Sequence, residues 1–192
     1  MINIITGKPG MGKTYALVKI ALRALKNGRD VYSNFHIDFT SLNLKSKNSL
    51  GKLYFWKDVS DLMSIRHGEI LMDEAQIYLN SRKWSSLPPE LMYKLQQHRK
   101  QGLNIWGAVQ NIKRIDTVCR ELVNSVFVVK RFGIFFIMNE FDIEDIDKAK
   151  RKSYGTKFFV LSKKLASCYD TLQEIASYNC IVTGKQIGRA HV

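Results

Sequence analysis

The residues best equipped for chemistry stand at the start of the chain. Gly7-Lys8-Pro9-Gly10-Met11-Gly12-Lys13-Thr14 satisfies the G-x-x-x-x-G-K-[ST] phosphate-loop pattern. Glycines in such a loop let the backbone turn its N–H groups toward phosphate oxygens, Lys13 neutralises the β and γ phosphates, and Thr14 offers a hydroxyl to Mg²⁺. The loop together with Tyr15 is the expected contact set for a nucleotide, ATP. A second group follows at Gly68-Glu69-Ile70-Leu71-Met72-Asp73-Glu74-Ala75-Gln76, an apolar run that ends in adjacent carboxylates. At the end of a buried strand, Asp73 would join Thr14 beside the metal and Glu74 would polarise an attacking water. Gln110, directly after the apolar run Leu103 to Val109, is a candidate for sensing the γ phosphate or orienting water. Arg99 and Arg120 are candidate arginine fingers, reaching a phosphate on this or an adjacent subunit.

Those groups need a scaffold that brings segments 60 and 100 residues apart to one place. Ile2 to Ile5 reads as a short buried strand and Thr14 to Asn27 as a helix, so the loop has the strand-loop-helix context it requires. The helix is apolar around most of its circumference, and its remaining stripe, Lys19, Arg23 and Lys26, is an exposed basic face. Gly28 ends it. Further strands are expected at Asp30 to Asn34, Leu53 to Trp56, Gly68 to Met72 and Leu103 to Val109. Helices are expected at Val59 to Ile65 and Glu90 to Gln101, the second burying Leu87, Leu91, Leu95 and His98. Ile115, Val118, Cys119 and Leu122 suggest one more helical face. The segments up to Ser49 and from Ser81 to Pro89 read as loops. Val126 to Val129 and Ile134 to Met138, flanking Lys130-Arg131-Phe132-Gly133, form a hairpin that closes the sheet. Beyond it the chain turns from acidic to basic between Glu140 and Lys152, and a basic patch near Tyr154, Phe158 and Phe159 could stack on bases or touch a nucleic-acid backbone. The class is α/β, with one domain over residues 1–176 and an irregular tail over 177–192.

Composition narrows the partners. A formal net charge of +13 over 192 residues favours a polyanion, either nucleic acid or an anionic membrane surface. Three cysteines, Cys119, Cys168 and Cys180, make neither a C-x-x-C pair nor an even disulfide framework, which suits a reducing cytosol. No run of about 20 apolar residues is present to span a bilayer. Ile187-Gly188-Arg189-Ala190-His191-Val192 is what ATC GGA AGA GCA CAC GTC encodes, and with a following TGA stop this reads like a sequencing adapter. The expectation is that this tail is translated read-through and that the natural protein continues differently.

Taken with these residues, the chain resembles the N-terminal ATPase domain of the zonular occludens toxin family, which includes an assembly protein of filamentous phages. The resemblance rests on Gly7 to Thr14, Val31-Tyr32-Ser33-Asn34, Asp73-Glu74-Ala75-Gln76 and Gln97-His98-Arg99. It extends to Gln110 before Ile115-Asp116 and Arg120, and to Tyr169-Asp170-Thr171. It implies a RecA-like P-loop NTPase core with a central, mostly parallel sheet and helices on both faces. It also implies a homo-oligomeric ring, coat and assembly proteins and single-stranded DNA as partners, and anchorage in the bacterial inner membrane through a later span, with the ATPase domain in the cytoplasm. Two other classes fit the loop alone: a small nucleotide kinase, which would carry an arginine-rich lid, and a non-catalytic scaffold with an idle site.

Overall fold

The computed structural model describes residues 1–42, 44, 49–80, 89–146 and 153–170. Its centre is an eight-stranded sheet: β1 (Ile2–Thr6), β2 (Val31–Ser33), β3 (Leu53–Phe55), β4 (Gly68–Met72), β5 (Leu103–Val109), β6 (Ser125–Phe132), β7 (Phe135–Phe141) and β8 (Gly155–Val160). The spatial order is β3-β2-β4-β5-β1-β6-β7-β8. The six strands from β3 to β6 pair in parallel, and β7 and β8 are added antiparallel. Parallel neighbours end on the same edge, so the segments that follow β4, β5 and β1 all emerge there. The register makes this tight: Met72 is level with Gly107, and Thr6 with Val109. The two-residue offset along β5 is about 7 Å at ~3.3 Å per residue.

Alternation along each strand feeds two separate cores. Ile4, Ile70, Met72 and Ile105 point to one face, where helix α2 (Pro89–Gln97) and the short helix α3 (Thr117–Glu121) pack with Leu91, Leu95 and Cys119. Ile5, Leu71, Ala108 and Phe127 point to the other, covered by helix α1 (Lys13–Lys26) and the single turn α4 (Lys163–Ala166). Strands β1 and β4 are therefore buried on both faces, as the centre of a parallel sheet requires. The buried face of α1 is Leu17, Val18, Ala21, Ala24 and Leu25, and its two last-turn cations, Arg23 and Lys26, complement the negative end of the helix dipole.

Several expectations shift. The helix expected from Glu90 to Gln101 ends at Gln97, because the chain must reverse through Gly102, at φ +65°, to enter β5. Val59–Leu62 is a 3-10 turn rather than an α-helix. Val118 is not part of a buried helical face: α3 starts only at Thr117, capped by the Asp116 carboxylate on Val118 N–H, and Val118 lies exposed. Past the expected hairpin the sheet continues into β8. Cys119 and Cys168 are buried free thiols, and burial pushes Cys119 up to about 12. Leu87, the Ser81 to Pro88 part of the expected loop, residues 147–152, Thr171, Cys180 and the tail lie outside the described residues. Among the described residues no helix is long and apolar enough to cross a membrane.

Candidate functional site

The loop from Gly7 to Gly12 leaves β1 and curls into α1. Gly12 caps the helix in the left-handed region, at φ +85°, with no side-chain cap and no acidic residue in the first turn. That leaves the positive end of the helix dipole uncompensated at the loop, an arrangement suited to an anion. The loop is also walled in. A Cβ on Gly7 would stand 2.8 Å from the Val129 carbonyl oxygen, and one on Gly12 would stand 2.2 Å from the Phe136 ring. Phe136 in turn stacks between Tyr15 and Phe159, with ring centroids 5.1 and 5.0 Å away. Strands β6 and β7 thus form one side of the cradle. The Lys13 ammonium lies over the loop, donating to the carbonyls of Gly7 (3.0 Å) and Lys8 (3.3 Å).

The acidic pair comes to this cradle. Thr14 Oγ1 donates to Asp73 Oδ2 at 2.6 Å, joining the first turn of α1 to the end of β4. Asn34, directly after β2, grips the Asp73 backbone on both sides: its Oδ1 accepts from Asp73 N–H at 2.8 Å and its Nδ2 donates to Asp73 C=O at 2.9 Å. Glu74 N–H then donates to Asp73 Oδ1 at 3.0 Å. Glu74 itself has a left-handed backbone, φ 48° and ψ 45°, unusual for a residue with a side chain, and Gln76 Nε2 donates to its carboxylate. Such strain persists only where surrounding structure enforces it and is common at reacting groups. On the other side, Thr6 Oγ1 donates to the Gln110 carbonyl at 3.4 Å, so Gln110 adjoins the base of the loop.

Asp73 is 8% exposed. Burial pushes its carboxyl above the ordinary range, outweighing the Thr14 hydroxyl, the Glu74 N–H and the Lys13 charge, which favour the ionised form. A hydroxyl and a buried carboxylate side by side are hard oxygen donors of the kind Mg²⁺ takes, and Thr14 and Asp73 would hold it here. The residues therefore fit the ion, which would supply charge neutralisation to the bound phosphates.

The raised Asp73 value has a consequence for stability. The folded chain holds this proton more tightly than the unfolded chain does, so stability falls as pH rises from the ordinary carboxylate value through the raised one, and the cost persists above it. Asp73→Asn, without nucleotide or magnesium, should therefore melt higher than the wild type at pH 7, by about 2–4 °C for each kcal/mol relieved in a domain of this size. Below the ordinary carboxylate range the two should melt together. Thermal melts across pH check it, and a lower melting temperature for Asp73→Asn at pH 7 would contradict the account.

Not every expected residue arrives. Arg99 sits between α2 and β5, beside the N-terminal amine of Met1, whose proton affinity is lowered by burial and then by the Arg99 charge; Met1 N in turn donates to Leu103 C=O at 3.0 Å. This is the start of the parallel strands, separated from the loop by the length of β1, about 16 Å. It cannot serve the phosphate loop of its own chain. Arg120 lies on α3, on the sheet face opposite α1, with Nη2 donating to Thr117 Oγ1 at 2.9 Å; nothing brings it to the loop. The Tyr15 side chain is also spoken for: it is 2% exposed, and its hydroxyl donates to Val160 C=O (3.2 Å) and accepts from Ser162 N–H (2.9 Å). Only its backbone N–H is left for a phosphate.

Four participants were not singled out from sequence. Asn34 appeared only within a motif, although its place at the end of β2 on the same sheet edge was a usable signal. Phe136 and Val129 wall the loop from strands read merely as a closing hairpin. Tyr169 bridges to Ile37 and lies within electrostatic reach of Tyr15, Asp73 and Arg131; burial, reinforced by the first two, pushes its phenol up to about 12.

With this geometry in place, the family model described as zonular occludens toxin (Zot) matches residues 1–172. The chain belongs to the zonular occludens toxin family. Among solved structures it is similar to the N-terminal domain of zonular occludens toxin from Neisseria meningitidis, with 23% identity and TM-score 0.54, covering 88% of this chain and 98% of that one. It is also similar to the genome packaging NTPase B204 from Sulfolobus turreted icosahedral virus 2 in complex with ATP-gammaS, with 11% identity and TM-score 0.56, covering 80% and 96%. B204, the DNA-packaging ATPase from Sulfolobus turreted icosahedral virus, matches with 11% identity and TM-score 0.55, again covering 80% and 96%. No curated protein matches the chain by sequence. This Zot-family chain therefore has the RecA-like P-loop ATPase fold, with the antiparallel β6-β7-β8 extension at one side of the sheet.

Proposed function

We propose that this Zot-family domain binds and hydrolyses ATP with Mg²⁺ to drive phage assembly, extruding single-stranded DNA across the bacterial inner membrane. The observation that carries it is the 2.6 Å contact between Thr14 and Asp73, which unites the phosphate loop with the acidic strand end. Lys13 and the loop amides hold the β and γ phosphates, while Thr14 and Asp73 hold the metal. Glu74 accepts a proton from the attacking water, with Gln76 keeping its carboxylate oriented and Gln110 in reach of the γ phosphate. Family membership, and a fold shared with a packaging NTPase solved with an ATP analogue, support the motor reading. The domain would work in the cytoplasm as part of a ring, tethered to the membrane by a later segment and handing DNA to coat proteins. In such a ring Arg99 and Arg120 would act only on a neighbouring subunit.

The test is ATP turnover by the chain with and without single-stranded DNA, against Lys13→Ala. Turnover that requires magnesium, rises with DNA and disappears in Lys13→Ala supports the proposal. Phosphoryl transfer to a nucleoside monophosphate would replace it with a kinase, and ATP binding without turnover in the assembled oligomer would replace it with a scaffold.

A further inference from the structure

Two basic signals that lie 130 residues apart in sequence meet in one cleft. The exposed stripe of α1, Lys19 and Arg23 among its residues, forms one wall. Lys157 of β8 forms the other, and Trp106 and Phe159 line the space between them. The volume is about 520 Å³, within the ordinary range for a bound small molecule or a few stacked rings. The cleft starts at Ala16, two residues beyond Thr14, and follows α1 toward its C-terminus; none of residues 7–14 lines it.

Its chemistry is that of a polyanion site with aromatic surfaces. Among its lining residues five lysines and arginines accompany a single carboxylate, Glu69. That carboxylate is already neutralised and turned inward: Arg29 Nε donates to it at 2.8 Å, Asn104 Nδ2 at 2.8 Å and Trp106 Nε1 at 2.9 Å. The cations sit against rings, with Lys19 Nζ 4.7 Å from the Phe159 centroid and Lys157 Nζ 5.0 Å from that of Phe127. Trp106 and Phe159 supply the aromatic surface inside the cleft, whereas Phe158, 74% exposed, alternates to the other face of β8. Basic side chains that follow a backbone, beside aromatic faces that stack on bases, are the two components of single-strand recognition.

We infer that the cleft between α1 and β8 binds a segment of single-stranded nucleic acid, with Lys19, Arg23 and Lys157 on its phosphates and the half-buried Trp106 ring against a base. The choice of DNA as that strand rests on the function proposed above. Because α1 carries Lys13 and Thr14 at its other end, a strand held here would press on the same rigid element that holds the nucleotide.

Fluorescence anisotropy of a labelled 20-nucleotide oligo-dT with the 192-residue chain tests it. Lys19→Glu with Arg23→Glu should weaken binding at least tenfold and flatten the salt dependence by about 1.4 in log–log slope, at ~0.7 per lost phosphate contact. Trp106→Leu should weaken binding roughly tenfold while leaving the salt slope unchanged. Lys19→Gln with Arg23→Gln gives a milder version should charge reversal disturb folding, and basal ATP turnover should be unaffected by all three. Undiminished binding in these variants, no oligo-dT binding by the wild type at low salt, or equal binding of a duplex of the same length would overturn the inference. So would Lys19- and Arg23-dependent binding to phosphatidylglycerol vesicles without binding to DNA. Loss of ATP turnover with cleft-dependent DNA binding intact would refute the motor and leave the cleft standing.

Discussion

Glu74→Gln is expected to lower ATP hydrolysis by about 10²- to 10⁴-fold, the usual contribution of a positioned general base, while ATP binding stays within twofold. The separation follows from where Glu74 stands. Its N–H is tied to Asp73 Oδ1 at 3.0 Å and its backbone is held in a left-handed turn, so the side chain is aimed by the strand end and carries none of the loop's phosphate contacts. Glutamine keeps the size and removes only the basicity. Steady-state turnover and titration with ATP-gammaS read the two effects independently. Unchanged turnover would remove Glu74 from the reaction, and a parallel loss of binding would move it into the nucleotide cradle.

Gly12→Ala should abolish nucleotide binding at ordinary concentrations. Two costs coincide: a left-handed residue with a Cβ loses about 1–2 kcal/mol, and overpacking loses about 1–3 kcal/mol more. The second arises because the new methyl meets Phe136 at 2.2 Å, and Phe136 cannot step aside while it is stacked with Tyr15 and Phe159. Either the loop or the β6-β7 wall must move, and both shape the cradle. Adding Phe136→Ala should recover the part due to the collision but not the part due to the backbone angle. The double variant should therefore bind ATP-gammaS better than Gly12→Ala alone. If it does not, the wall is not what confines the loop.

The residues that could be read from the sequence are those whose signal is local. A phosphate loop between a strand and a helix, an apolar run ending in Asp73-Glu74, and Gln110 at the end of another run all carry their position in their immediate neighbours. They meet because parallel strands share an edge, which the alternating strand and helix order already implied. Strand β8 was missed because only Phe159 of its six residues is buried, so no alternation marks it, and its aromatics looked like a surface patch. Of the two alternatives the sequence left open for Arg99, its own subunit or an adjacent one, the topology bears on the first. Arg99 precedes β5, and in a parallel sheet the residue before a strand lies at the edge opposite the residue after it. The topology thus decided against a same-chain finger before any side chain was placed. The cleft could not be read at all, since Lys19 and Lys157 are brought together only by the antiparallel extension of the sheet.

The account stands on Thr14 and Asp73 holding one metal ion against the nucleotide. Its most direct test is the affinity for ATP-gammaS with Mg²⁺ and with EDTA, in the wild type and in Asp73→Asn. The account predicts that magnesium tightens binding to the wild type and that Asp73→Asn removes this increment while leaving metal-free affinity unchanged. A magnesium increment of the same size in both proteins would contradict it.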